Sequence, residues 1–203
     1  QMKAWNSGDV TTCDVTDSTL NDMSSLFIGK TNFNYDLRAW DTSAVTDMSF
    51  MFADATSIES VSFSETGEVT NMSYMFYGAT SLTSVTLPKT GAVTKMHYMF
   101  DGATKIKSVS LPETGKVTDM NSMFLGATSL TSVYLPKTGA VTDMRFMFFD
   151  AIAFNQDIRG WDVADVTTFY RMFSVPRRWL PHLAEPQIGQ PIIAPRRQLG
   201  LGM

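Results

Sequence analysis

The sequence of 203 residues has little cysteine, little histidine and no long apolar run, and each shortage excludes a class of protein. Its single cysteine, Cys13, cannot form an internal disulfide, which excludes a disulfide scaffold and a cysteine-rich zinc module. No run of about 18 apolar residues is present, so we expect no direct membrane insertion. The amino terminus also lacks the basic-then-apolar pattern of a signal peptide.

Catalytic patterns are missing as well. The two histidines, His97 and His182, lie in segments of different composition, and no Ser-His-Asp or paired-carboxylate set recurs at a defined spacing. The net charge is −4, from 16 Lys and Arg against 20 Asp and Glu, and the Arg pairs at 177–178 and 196–197 fall short of a basic run. We therefore predict no enzyme, no cofactor, no metal and no nucleic-acid partner.

Methionine and phenylalanine are abundant, with 14 of each, and both occur in a repeat. Successive copies are 24 or 25 residues apart, and twelve of the methionines lie in them. The motif Val-Thr-x-Met-x-x-Met-Phe occurs at 45–52, 69–76, 93–100, 117–124 and 141–148, with looser copies at 20–27 and 166–173. So constant a period is typical of stacked coils.

Each repeat is predicted to contain a short helix and a short strand. In a helix, the Val, both Met and the Phe of the motif would share one inward face. Two residues after the Phe stands a Gly or Asp, which tolerates the left-handed conformation that ends a helix. Alternating residues such as 82–87 predict a strand, and the following Pro and Thr-Gly predict a turn. We expect an α/β repeat solenoid of about six to seven repeats.

The repeat divides the chain into three parts. Residues 1–19 are predicted to be an N-terminal partial repeat or cap, and residues 20–173 the solenoid. Two of its coils carry a different, Trp-Asp form of the strand, at 33–41 and 154–162. Residues 174–203 contain five prolines and both Arg pairs, which predicts an extended or disordered tail. We interpret this tail as a linker rather than an anchor for acidic partners.

Two phrases, at 69–76 and 154–163, resemble the BspA-like leucine-rich-repeat surface proteins and related mycoplasma-type surface lipoprotein repeats. The resemblance covers about residues 20–173. It implies a right-handed, leucine-rich-repeat-like coil in an extracellular or cell-surface protein, often associated with adhesion. It implies no catalytic residues.

Two recurring patterns have a functional and a structural interpretation. The sortase sorting pattern Leu-Pro-x-Thr-Gly occurs at 87–91, 111–115 and 135–139, but three copies at the repeat period favour the end of a strand and a turn. Asp47, Asp119 and Asp143 share one repeat position, which suggests a calcium ladder. Lys95 interrupts that row, so helix caps are the better interpretation.

The best candidate binding residues form a row. In the predicted helical phase Phe50, Tyr74, Tyr98 and Phe146, interrupted by Ser122, point away from the core. Exposed aromatic rows favour binding of protein or glycan. The alternative is that the rings stack on one another only to cover the helical layer.

These observations predict a non-enzymatic cell-surface or secreted repeat module that binds protein or glycan on another surface. A purely structural spacer within a larger surface protein is the alternative. A distant alternative is an ice-binding solenoid, because one strand face presents a strip of hydroxyl groups. That strip comprises Ser60, Ser62, Ser84, Thr86, Ser108, Ser110 and Ser132, and Tyr134 interrupts it.

Overall fold

The structure is a computed structural model, and it describes residues 21–174. Four three-residue strands follow one another at the repeat period: β1 (Ser60–Ser62), β2 (Ser84–Thr86), β3 (Ser108–Ser110) and β4 (Ser132–Tyr134). β1 pairs in parallel with β2, and β3 pairs in parallel with β4. Val61 lies opposite Val85, and Val109 opposite Val133, so equivalent residues meet and the coils stack as a repeat solenoid.

A column of phenylalanine rings forms the centre of the core. Adjacent rings lie 5.5 or 5.6 Å apart with planes within 12° of parallel. The column comprises Phe27, Phe52, Phe76, Phe100, Phe124, Phe148 and Phe173. The Val and Met residues of the five full motifs are 0% exposed, which confirms the predicted inward face. Because each ring packs on its equivalents, each coil depends on its neighbours for burial.

The predicted short helices are absent from residues 21–174, and the α/β assignment is corrected to short strands and turns. An α-helix needs each N–H to donate to the carbonyl four residues earlier. Here alternate N–H groups donate instead to the next coil, at 2.7–3.1 Å. In one coil these bonds run from Met72, Tyr74, Phe76 and Gly78 to Lys95, His97, Met99 and Asp101. The intervening N–H groups of Met75, Tyr77 and Ala79 donate three residues back, which makes a succession of turns.

Positive φ angles recur along this chain of turns. One set, with φ between 56° and 70°, falls two residues after the column phenylalanines, where Gly or Asp was predicted to be left-handed. That set comprises Gly29, Asp54, Gly78, Gly102, Gly126 and Asp150. The conformation is as predicted, but it closes a turn rather than a helix. A second set, with φ between 49° and 58°, was not predicted and includes the aromatic row.

Buried threonines join the coils on another side of the solenoid. Thr90, Thr114 and Thr138, the threonines of the three sortase-like patterns, are at most 1% exposed. Their hydroxyls donate to the carbonyls of Glu113, Lys137 and Asp162 in the next coil at 2.6–3.0 Å. A buried hydroxyl needs such a bond. The patterns therefore hold adjacent coils together.

The coil with residues 154–162 closes the edge of the strand ladder. The side-chain amide of Gln156 accepts a bond from the Val133 N–H at 2.7 Å and donates to the Val133 carbonyl at 2.8 Å. These two bonds replace the next strand at the edge of β4. The predicted cap at 1–19 and the predicted tail, apart from Ser174, lie outside the described residues.

Candidate functional site

The predicted aromatic row lies on the chain of turns, at the second set of positive φ angles. Phe50, Tyr74, Tyr98 and Phe146 have φ between 54° and 58°. A bulky side chain is uncommon in this region of φ. Each N–H of the row donates to the next coil at 2.9–3.0 Å, which fixes the backbone that carries the rings to that coil.

Three of the rings form a continuous stack. The Phe50 and Tyr74 centroids are 4.4 Å apart, with planes 6° from parallel, and those of Tyr74 and Tyr98 are 4.7 Å apart, at 4°. Phe50 is 37% exposed, and the two tyrosines are half-buried. The stack is therefore partly exposed to solvent.

The row is interrupted at Ser122, as the sequence predicts. Ser122 is only 1% exposed, and its hydroxyl donates to the Asn121 side chain at 2.8 Å. Ser122 therefore offers almost no surface to a partner. Beyond it, Phe146 meets Tyr170 at 5.4 Å in an edge-on arrangement. Phe146 also lies 5.7 Å from the ring of Phe149. The structure therefore brings three of the four predicted residues into one patch and places Phe146 in a separate cluster with Phe149 and Tyr170.

Two residues beside the stack were missed by sequence reasoning. Tyr77 is 38% exposed, and its ring lies 6.0 Å from that of Tyr74. The His97 ring stands edge-on to Tyr74 at 5.3 Å, and its Nδ1 lies 3.2 Å from an Asp119 carboxylate oxygen. Neither residue type recurs at its repeat position, so periodicity gave no signal. We call Phe50, Tyr74, Tyr77 and Tyr98 the aromatic patch.

A carboxyl group in an unusual environment follows Tyr98 of the patch by three residues. Asp101 is half-buried, and burial raises the pKa of its carboxyl to about 6. Burial also raises the pKa of the Tyr74 hydroxyl, and the charges of Tyr98, Asp101, Tyr77 and Asp119 add to this shift. The Asp101 N–H donates to the carbonyl of Tyr98 at 3.2 Å, so its backbone lies beside the patch.

The predicted calcium positions act as turn caps. One carboxylate oxygen each of Asp47, Asp119 and Asp143 accepts the N–H two residues later, at 2.7–2.9 Å. This geometry stabilises a turn locally. Within residues 21–174, no group of three His, Cys, Asp or Glu residues is placed to hold a metal ion. In the same residues, no helix is long and apolar enough to cross a membrane.

The hydroxyl strip lies on the strands, as predicted. Ser60 pairs with Ser84, and Ser62 with Thr86, in register. Beside them, the segment 34–38 forms one wall of an open groove of about 450 Å³. Tyr134, 57% exposed, interrupts the strip at β4. This face is distinct from the aromatic patch.

The family model described as "Mycoplasma protein of unknown function, DUF285" matches residues 1–111 and 94–180. The chain belongs to this family. The resemblance to mycoplasma-type and BspA-like repeats is thereby confirmed. No curated protein matches the sequence.

Two solved leucine-rich repeat proteins are similar to this chain. A leucine-rich repeat protein from Eubacterium ventriosum is 17% identical, with a TM-score of 0.51, over 74% of this chain and 40% of that one. Another, from Bacteroides ovatus, is 23% identical, with a TM-score of 0.33, over 45% of this chain and 22% of that one. This chain thus spans less than half of either protein. The first similarity shows a leucine-rich-repeat fold.

Proposed function

We propose that this solenoid is a non-enzymatic repeat module, on a cell surface or secreted, that binds another protein through the aromatic row. Family membership and the leucine-rich-repeat fold support a binding module, and the resemblance to surface repeat proteins supports the location. Phe50, Tyr74, Tyr98 and Phe146 are the proposed binding residues, with Tyr77 added by the structure.

The observation that carries the proposal is the rigid, partly exposed stack. Aromatic side chains are enriched at protein interfaces because they offer a large contact area and lose little conformational entropy on binding. Here the hydrogen bonds of the turns and the stacking at 4.4 and 4.7 Å already restrict the rings. A partner that packs on them has less ordering cost to overcome.

The experiment replaces Phe50, Tyr74, Tyr98 and Phe146 together by Asn, which tolerates positive φ better than most residues. The matched control is Tyr134→Asn, which removes an exposed ring from the strand face. Both proteins and the parent are tested on arrays of cell-surface proteins and of glycans, with melting followed by circular dichroism. We expect the fourfold variant to keep its fold but no longer bind the array proteins that the parent binds. The control should still bind them.

Two outcomes would contradict the proposal. Binding confined to the glycan array would replace the protein partner by a sugar. Protein binding that survives in the folded fourfold variant would move the site elsewhere.

A spacer role is the second candidate, and one observation favours it. The rings of the row contact each other between coils, and such stacking stabilises the solenoid without any ligand. Under this alternative the parent binds nothing on either array, and the fourfold variant melts at a clearly lower temperature.

A further inference from the structure

Asp101 occupies the repeat position that Tyr77 holds in the preceding coil and Leu125 in the next. Its carbonyl accepts the N–H of Gly78 at 2.8 Å, and its own N–H donates to the Tyr98 carbonyl at 3.2 Å. The backbone therefore joins Asp101 to Tyr98, a residue of the aromatic patch, and to Gly78, which follows Tyr77 in the chain. Its side chain is half-buried there.

Asp101 has no counter-charge within residues 21–174, whereas several other acids do. Among the described residues, four ion pairs join Asp36 to Arg38, Glu65 to Lys89, Asp143 to Arg145 and Asp157 to Arg159, and an Asp119 carboxylate oxygen lies 3.2 Å from His97 Nδ1. For Asp101 the structure shows neither an ion pair nor a side-chain hydrogen bond, and desolvation alone shifts its pKa. Burying a carboxylate without a partner costs free energy. Such a residue next to exposed rings is a candidate for pairing with a ligand.

The chemistry of the ligand follows from this combination. A carboxylate pairs with a cation, and tyrosine rings pack against the apolar stem or the planar guanidinium of a basic side chain. A neutral group would leave the Asp101 charge unpaired.

We propose that the aromatic patch receives an arginine or lysine side chain of the protein partner, with its cation on the Asp101 carboxylate and its stem against Tyr74 and Tyr77. This inference rests on the proposed function, because it names the group that the same patch recognises. It predicts that the partner's contact surface is basic.

The test titrates isotopically labelled protein at pH 7.5 and low salt with the peptide acetyl-Gly-Gly-Arg-Gly-Gly-amide. A peptide with Gln in place of Arg is the reference probe. We expect the Arg peptide to shift the amide signals of Tyr74, Tyr77 and Asp101 saturably, and the Gln peptide to leave them unchanged. Asp101→Asn should lower the affinity for the Arg peptide by roughly tenfold or more, as expected for the loss of a charged hydrogen bond.

The matched control is Asp150→Asn, an exposed aspartate on the same chain of turns, which should bind the Arg peptide like the parent. Equal shifts with Arg and Gln peptides, or unchanged binding in Asp101→Asn, would overturn the inference. Failure here is distinguishable from failure of the proposed function. If Asp101→Asn still binds the array proteins that the fourfold variant no longer binds, the module binds proteins but not through a cation on Asp101.

Discussion

At the scale of single residues, the aromatic row combines bulky side chains with a backbone conformation that disfavours them. A non-glycine residue in the left-handed region costs on the order of 1–2 kcal/mol. The same repeat position also holds Ser25, Ser122 and Arg171 at positive φ, so the turn accepts several residue types. The turn alone therefore does not explain why four copies carry an aromatic ring. Stacking between coils or a ligand supplies the reason.

Gly102→Ala tests the cost of the left-handed positions. Gly102 has φ +70°, while an added Cβ would meet the Gly78 Cα at 3.6 Å, an ordinary contact. The free energy of unfolding should therefore fall by about 1–2 kcal/mol in urea denaturation, because of the backbone conformation alone. Gly115→Ala is the control, because its φ is not positive and its nearest neighbour, Lys137 Cδ, is also 3.6 Å away. Equal losses in the two variants would contradict this explanation.

Asp101→Asn tests the stability effect of the buried carboxyl. The folded-state pKa of about 6 lies above the ordinary value of 3.8, so the folded state holds the proton more tightly. The charged form at pH 7 therefore destabilises the fold, and this penalty disappears as the pH falls through 6 towards 4. We expect the variant to melt at a higher temperature than the parent at pH 7 and at the same temperature near pH 4. A variant that melts lower at pH 7 would show that the carboxylate has a stabilising partner.

At the scale of elements, the chain of turns explains why a helix was predicted and is absent. Both structures place residues three apart on the same side, so the Val, Met and Phe positions fit either one. A helix and a chain of turns differ in whether the N–H groups donate within one coil or to the next coil. The sequence of a single repeat does not show which carbonyl each N–H reaches. The strands were predictable because residues 82–87 alternate, and Ser84–Thr86 form β2. Positive φ at Phe50 and Tyr74 was not predictable, since neither residue type favours it.

Thr114→Val tests the threonine ladder. Valine keeps the shape of the side chain but removes the hydroxyl that donates to the Lys137 carbonyl at 2.6 Å. A hydrogen bond contributes about 0.5–1.5 kcal/mol, so chemical unfolding should show a loss of stability in that range. Thr118→Val is the control, because Thr118 is exposed and its bond to the Thr94 carbonyl is 3.4 Å long. An equal loss of stability in the control would contradict the view that the buried threonines contribute more to stability than the exposed ones.

At the scale of the whole molecule, the period of 24 or 25 residues predicts the stacking, and the Phe column confirms it. The candidate patch was only partly predictable. Equal spacing aligned Phe50, Tyr74 and Tyr98, but Tyr77 and Asp101 share a repeat position with Ala53, Leu125 and Phe149. Because this repeat position holds residues of such different types, the sequence gives no periodic signal for it. Only the packing of the coils shows that Tyr77 and Asp101 lie beside the aromatic stack.

Deleting whole or partial repeats tests whether the coils are interchangeable. Removal of residues 93–116 joins two equivalent positions and keeps the phase of the motif, so the shortened chain should fold cooperatively with a lower melting temperature. Removal of 93–104 breaks the phase and should abolish cooperative melting. Both are measured by circular dichroism. If the two deletions behave alike, stacking in phase is not what holds the chain together.

The most direct test of the stacked coils is a nuclear Overhauser spectrum of protein labelled only on its phenylalanine rings. The structure predicts contacts between rings 24 residues apart, such as Phe52 with Phe76 and Phe76 with Phe100, whose centroids are 5.5 Å apart. Observation of that series of cross-peaks supports the solenoid. A folded protein without them, whose rings contact other residues in no regular series, would contradict it.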